Sequence, residues 1–169
     1  FDGASYLYLT NPPTALRPSD AITLQVWVYP TNETDSGDVI LWMKYDDTKP
    51  SYALTINDEV DDKVDFHLTV SGTRQTLSSR STIPKERWSH VSATYDGSYM
   101  RIYINGKLDN YKSISGQIQY SDSILSVGAK HGGGGYTSYF EGYLDELKIS
   151  DYARNLHEDD DGDGMLEQY

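Results

Sequence analysis

The chain contains no cysteine, and that absence removes disulfide frameworks, thiolate metal sites and thiol nucleophiles together. Positive charge is also scarce: 14 Lys and Arg stand against 26 Asp and Glu, for a formal net charge of −12. A nucleic-acid ligand needs a basic footprint that releases counterions, so that class of partner is not expected. No apolar run approaches the ~20 residues of a bilayer-spanning helix, so membrane insertion is not expected either. The four histidines (His67, His90, His131, His157) show no HExxH or other paired spacing, and no serine sits in a GxSxG turn. Phenylalanine is rare, at three residues, while tyrosine reaches 15. Aromatic area is therefore supplied mostly by rings that carry a polar end.

The charge is unevenly spread. Six acids (Glu158, Asp159, Asp160, Asp161, Asp163, Glu167) fall in the last dozen residues, so residues 1–157 carry only −6. With 169 residues in all, the chain is long enough for one domain with a sizeable core.

Apolar residues alternate with polar ones over runs of four to eight almost throughout, the period of half-buried strands. In "AITLQVWVYP", Ile22, Leu24, Val26 and Val28 share one face and Thr23, Gln25, Trp27 and Tyr29 the other. Comparable runs are "SYLYLT", "DVILWMKY", "SYALTIN", "DFHLTV", "RQTLSS", "HVSATY", "MRIYIN", "SILSVGA" and "FEGYLDELKIS". Asp96-Gly97 and Asn105-Gly106 suit tight turns with positive φ and predict an antiparallel meander. No sustained 3.6-residue stripe exists; "DYARNLHE" has room for a turn or two of helix at most. About ten short strands with regular turns read as an all-β, two-sheet antiparallel sandwich or jelly roll.

"FDG" at the start, "ITLQVWVYPT", "WSHVSATYDGSYMRIYINGK" and "LSVGA" followed by "FEGYLDELKIS" resemble, in that order, the concanavalin A-like jelly rolls of the laminin G-like group. The resemblance covers residues 1 to 154 and implies two curved antiparallel sheets packed face to face. It also implies a calcium ion held where the beginning of the chain meets a late strand, at the matching positions Asp2 and Asp145. The group hosts lectins, carbohydrate-binding modules, adhesion domains and some glycanases, so fold alone does not select a function.

Enzymatic chemistry finds little support in the residues. A retaining glycosidase needs two carboxyls about 5.5 Å apart. The nearest candidates lie in "EGYLDE", where Glu141 and Asp145 would share a strand face about 13 Å apart and Glu146 would point the other way.

The last residues, 155–169, read as a separate acidic segment. Counted as a calcium loop from Asp159, the ligand positions fall on Asp161, Asp163 and Glu167 with Gly164 at the turn, but the closing Glu would be residue 170. "DDDGDGMLEQY" resembles the aspartate-rich calcium repeats, similar to thrombospondin type 3 repeats, that join domains in secreted bacterial proteins. Calcium is accordingly the expected cofactor, with an acidic disordered tail as the alternative. With neither an initiator Met nor a signal segment, the sequence reads as one module of a longer extracellular bacterial protein.

Recognition of sugar needs a flat aromatic beside hydrogen-bonding side chains, and tyrosine supplies both. Two segments gather such groups: "KYDDTKPSY", with Tyr45, Asp46, Asp47 and Tyr52, and "KHGGGGYTSYF", with Lys130, His131, Tyr136 and Tyr139. Trp27 and Trp88 are expected in the core, Trp42 in the core or on the concave surface, and His90 as a structural strand residue. The sequence thus predicts a monomeric, non-catalytic module that holds the other domains of its parent near a polysaccharide. A protein-binding or adhesive module of the laminin G-like kind is the alternative.

Overall fold

The computed structural model describes residues 1–31, 38–57, 62–121 and 124–154. Among the described residues thirteen strands follow one another: β1 (Leu7–Thr10), β2 (Ile22–Pro30), β3 (Asp38–Lys44), β4 (Pro50–Asn57), β5 (Lys63–Val70), β6 (Thr73–Thr82), β7 (Ser89–Tyr95), β8 (Tyr99–Ile104), β9 (Lys107–Ser113), β10 (Ile124–Val127), β11 (Lys130–Gly132), β12 (Gly135–Thr137) and β13 (Gly142–Ser150). They form a six-stranded sheet in the order β1-β10-β3-β4-β5-β6, a five-stranded sheet in the order β13-β2-β7-β8-β9, and the small hairpin β11-β12. All ladders in the three sheets are antiparallel. This is the jelly-roll sandwich that the alternation predicts.

The inward residues of the two sheets meet in one core, with Ile22, Leu24, Val26 and Val28 of β2 facing Leu54, Phe66 and Leu68 from the other sheet. Each such side chain contributes roughly 1.5–3 kcal/mol on burial, which is what fixes strand register. Asn105 and Gly106 both take positive φ and leave Ile104 paired with Lys107, so the β8–β9 turn has the two-residue form that the sequence predicts. Strand β9, "KLDNYKS", is a polar edge strand with only half-buried or exposed residues, so no alternating run marks it and only the Asn105-Gly106 turn points to it. The short strands β11 and β12 escape sequence reading, since their residues lie in the glycine-rich segment.

The beginning of the chain is tied to the start of β13. The Phe1 ammonium donates to the Gly142 carbonyl at 2.9 Å, Gly142 N donates to the Phe1 carbonyl at 3.0 Å, and the Phe1 ring packs edge-on against buried Phe140. Next to this seam, Asp2 forms an isolated bridge with Glu141.

Candidate functional site

The outward face of the six-stranded sheet is the more unusual surface. One row of cross-strand partners runs Tyr8, Ser126, Trp42, Ala53, His67, Thr76 over β1, β10, β3, β4, β5 and β6. Ser126, Trp42, Ala53 and His67 in this row are buried, although they point away from the core. The β11-β12 hairpin shields one end: Ser126 Oγ donates to the Ala129 carbonyl at 2.7 Å, Val39 N donates to the Ser138 carbonyl at 3.2 Å, and Lys130 Nζ lies 5.1 Å from the centre of the Trp42 ring. Trp42, left open between core and surface by the sequence, is therefore buried beneath the hairpin.

This face carries polar atoms that are buried and without a hydrogen-bond partner among the described residues: Trp42 Nε1, Asp65 Oδ1, Ser51 Oγ and, on the hairpin, His131 Nδ1. Leaving such groups unpaired costs about 1–3 kcal/mol each unless a ligand or water satisfies them.

His67 is the charged-or-neutral pivot of the row. Its Nδ1 lies 2.9 Å from Thr76 Oγ1, its Nε2 3.2 Å from Thr55 Oγ1, and Arg74 Nη2 stands 3.1 Å from Nδ1. Burial first, then the Arg74 and Lys130 charges, push its pKa down to about 3. The unfolded chain takes up that proton near 6.5, so between these values the unfolded state binds more protons. Stability is then fullest above the unfolded value and falls with pH towards the folded one, by up to ~1.4 kcal/mol per pH unit. Burial lowers His90 and His131 in the same direction. The expected result is a urea midpoint that drops as pH falls from 6.5, with a visibly shallower drop in His67→Gln; parallel slopes in the two proteins would remove His67 from this role.

At the hairpin end, four tyrosines and a histidine come together. Tyr6 and Tyr136 stack with centroids 3.8 Å apart, Tyr8 lies 6.0 Å from Tyr136, Tyr139 6.0 Å from Tyr6, and the His131 ring meets Tyr136 edge-on at 4.8 Å. Burial and the neighbouring phenols raise the pKa of Tyr136. Tyr8 keeps 61% of its surface exposed and forms the open wall of the cluster.

The sequence-predicted residues divide accordingly. Tyr136, Tyr139 and His131 assemble here, and the 45–49 loop approaches them, since a Cβ on Gly133 would meet Asp47 Oδ2 at 2.8 Å. Tyr45 takes the Lys49 ammonium 5.4 Å from its ring centre. Asp46 is occupied locally: its Oδ1 accepts from Thr48 N, Thr48 Oγ1 and Lys49 N, and these bonds hold its pKa far below the usual range. Tyr52 is corrected. It is wholly buried, two residues into β4 and opposite Leu68, and its hydroxyl donates to the Leu16 carbonyl at 3.0 Å. A ligand cannot reach it. Tyr6 and Tyr8 were missing from the sequence-based site because the pairing of β1 with β10 that brings them beside the hairpin is not visible locally.

Trp27 and Trp88 are also corrected: instead of joining the core they remain 39% and 47% exposed on the outer face of the five-stranded sheet. With Asp145 and Glu146 they line a cleft of about 310 Å³. Glu146 does not point away from Asp145, as regular alternation would require, because β13 bulges between Asp145 and Lys148.

The calcium pair implied by resemblance, Asp2 and Asp145, occupies two separate positions along the seam. Asp2 lies opposite Glu141, whereas Asp145 lies four residues farther along β13, opposite Trp27. Asp2 Oδ1 accepts from Ala4 N and Ser5 N, and a hydrogen bond from the Ser5 side chain first, then these two, lower its pKa to about 2. Among the described residues, no group of three His, Cys, Asp or Glu side chains has metal-holding geometry. Asp159, Asp161, Asp163 and Glu167 lie outside the described residues.

Comparison with known proteins gives context to this geometry. Human pappalysin-1 is 26% identical over 160 residues, an alignment that takes in 83% of this chain but 9% of that protein. A heptameric SAP-like pentraxin from Limulus polyphemus shares the fold with a TM-score of 0.69 at 18% identity, covering 93% of this chain and 76% of the other. Domain 4 of AbnA, an extracellular arabinanase of Geobacillus stearothermophilus solved in complex with arabinotriose, superposes with a TM-score of 0.67 at 19% identity, covering 90% and 69%. Residues 1–158 match the family described as the concanavalin A-like lectin/glucanases superfamily, and the chain belongs to it.

Proposed function

We propose that the chain is a non-catalytic glycan-binding module whose ligand lies along the outer face of the six-stranded sheet, with one sugar ring against the Tyr8–Tyr136 wall. One observation carries the reading: four tyrosines cluster at one end of this face, and Tyr8 among them keeps 61% of its surface open. Rings satisfy the apolar C–H face of a pyranose, and the phenol hydroxyls of such a cluster satisfy its hydroxyls. The arabinotriose complex of AbnA domain 4 supports it as a precedent on the same fold. The non-catalytic role is part of this proposal: among the described residues, Asp2, Asp46 and Glu146 are held in the charged form by hydrogen bonds from their neighbours, unlike a general acid.

In this reading the module belongs to a secreted or cell-surface bacterial protein and keeps companion domains near a polysaccharide, raising effective concentration. Calcium is proposed for the acidic segment: isothermal titration should show a lower calcium stoichiometry once residues 158–169 are removed, and an unchanged stoichiometry would dispose of binding there. A second reading, capture of a protein strand, is favoured by one feature, the edge strand β1 with Leu7, Tyr8 and Leu9 exposed. A glycan array with affinity electrophoresis in polysaccharide gels separates the two. Retardation on a defined glycan is expected; no retardation on any, with binding to an extracellular protein, would replace the first reading by the second.

A further inference from the structure

We propose that Trp27, Trp88, Asp145 and Glu146 form a second binding site, on the opposite sheet, for an organic ammonium group. The site does not depend on the glycan reading and uses none of its residues.

Its construction begins with β2. Trp27 falls on the outward side of the strand, and Trp88 precedes β7 on the same side, where its ring meets Tyr29 edge-on at 5.5 Å while the Trp27 ring meets His90 at 5.1 Å. These contacts hold the two indoles, each with more than a third of its surface open to solvent, as the apolar walls of the cleft. Two large exposed rings bounding a concavity are costly to leave solvated, and they offer the negative face of a quadrupole to a cation.

The floor sets the sign. In a regular strand, consecutive side chains leave on opposite faces, so Asp145 and Glu146 should not line one cavity. They do so because β13 bulges at this point and Glu146 adopts φ +50, a left-handed conformation disfavoured for a residue with a side chain. Asp145 Oδ1 accepts from Glu146 N at 2.8 Å and holds the turn. Lys148 Nζ, 2.9 Å from Glu146 Oε2, neutralises one of the two carboxylates from beside the cleft, and burial favours the neutral form of His90. One net negative charge between two indoles remains. That combination fits a positively charged head, either a weakly hydrated methylated ammonium or the more strongly hydrated primary amine of an unacetylated amino sugar, and it disfavours anions and gives neutral ligands no electrostatic reward.

The test uses tetramethylammonium chloride as probe on the intact chain, against sodium chloride at equal ionic strength, read by the indole N–H signals in a nitrogen-15 correlation spectrum. Saturable shifts are expected for Trp27 and Trp88 but not for buried Trp42, with affinity falling about fivefold or more in Asp145→Asn and in Trp88→Ala. Choline and glucosamine, titrated separately, show which source of the ammonium group fits better. Shifts that never saturate, equal binding of the uncharged choline isostere 3,3-dimethylbutan-1-ol, or wild-type affinity in both variants would overturn the proposal.

Discussion

Gly142→Ala is expected to cost the fold about 3–5 kcal/mol, at the upper end of single substitutions. Gly142 stands at φ +142, in a region open almost only to glycine, and a Cβ there would lie 2.1 Å from the Tyr29 carbonyl oxygen, 3.0 Å from Phe140 Cζ and 3.1 Å from Pro30 Cα. Two of these three are backbone atoms of β2, which cannot swing aside as a side chain would. Relief requires moving the start of β13, and the seam that closes the sandwich depends on it: both hydrogen bonds to Phe1 use Gly142, and Phe140 fills the adjacent core. Strained backbone adds about 1–3 kcal/mol to the overlap. The melting temperature should fall by about 6–20 °C, at 2–4 °C per kcal/mol for a chain of this size. Gly134→Ala is the matched control, since its Cβ would have nothing within 4 Å. A Gly142→Ala protein as stable as that control would show that the seam does not hold the fold together.

Most of the architecture was legible because burial enforces alternation. The inward residues of β2 were readable as a face, and all four are buried. Where the structure departs from expectation, residue type and alternation point in opposite directions. Trp27 was already on the polar side of β2 by its position between Gln25 and Tyr29, yet a tryptophan invites assignment to the core; period 2 is the stronger rule. Tyr52 erred in the other direction, placed in a ligand loop by its neighbours Asp46, Asp47 and Pro50 although the alternation of "SYALTIN" puts it on the same face as Leu54 and Ile56.

Within the site, the local sequence disclosed the hairpin tyrosines but not their partners. Tyr6 joins Tyr136 only because β1 pairs with β10 and the hairpin following β10 folds back over the sheet, contacts spanning some 130 positions of sequence. The β13 bulge was equally hidden, since nothing in "YLDELK" announces that two consecutive carboxylates will face one way. The segments that carry function here are those where local rules fail, as expected when binding geometry and regular structure compete.

Removing the tyrosine wall should then separate binding from folding. Tyr136→Ala is expected to weaken binding of the retained glycan by about thirtyfold or more, the ~2 kcal/mol loss typical of a binding hot spot, because Tyr136 touches Tyr6, Tyr8 and His131 and orders the whole cluster. Tyr8→Ala should come close to the same loss, for it removes the most open ring while leaving the stacked pair intact. Tyr8→Phe isolates the role of the ring: it keeps the stacking face, so a small effect assigns the energy to C–H contact, and a large one to the hydroxyl. Urea unfolding should place all three near the parent protein, within about 1 kcal/mol, because these side chains lie outside the core. Tyr52→Ala should do the reverse, losing about 3–5 kcal/mol of stability, since a buried aromatic is deleted. If Tyr136→Ala and Tyr8→Ala bind the glycan as the parent does, the ligand uses another surface and the tyrosine wall has no part in binding.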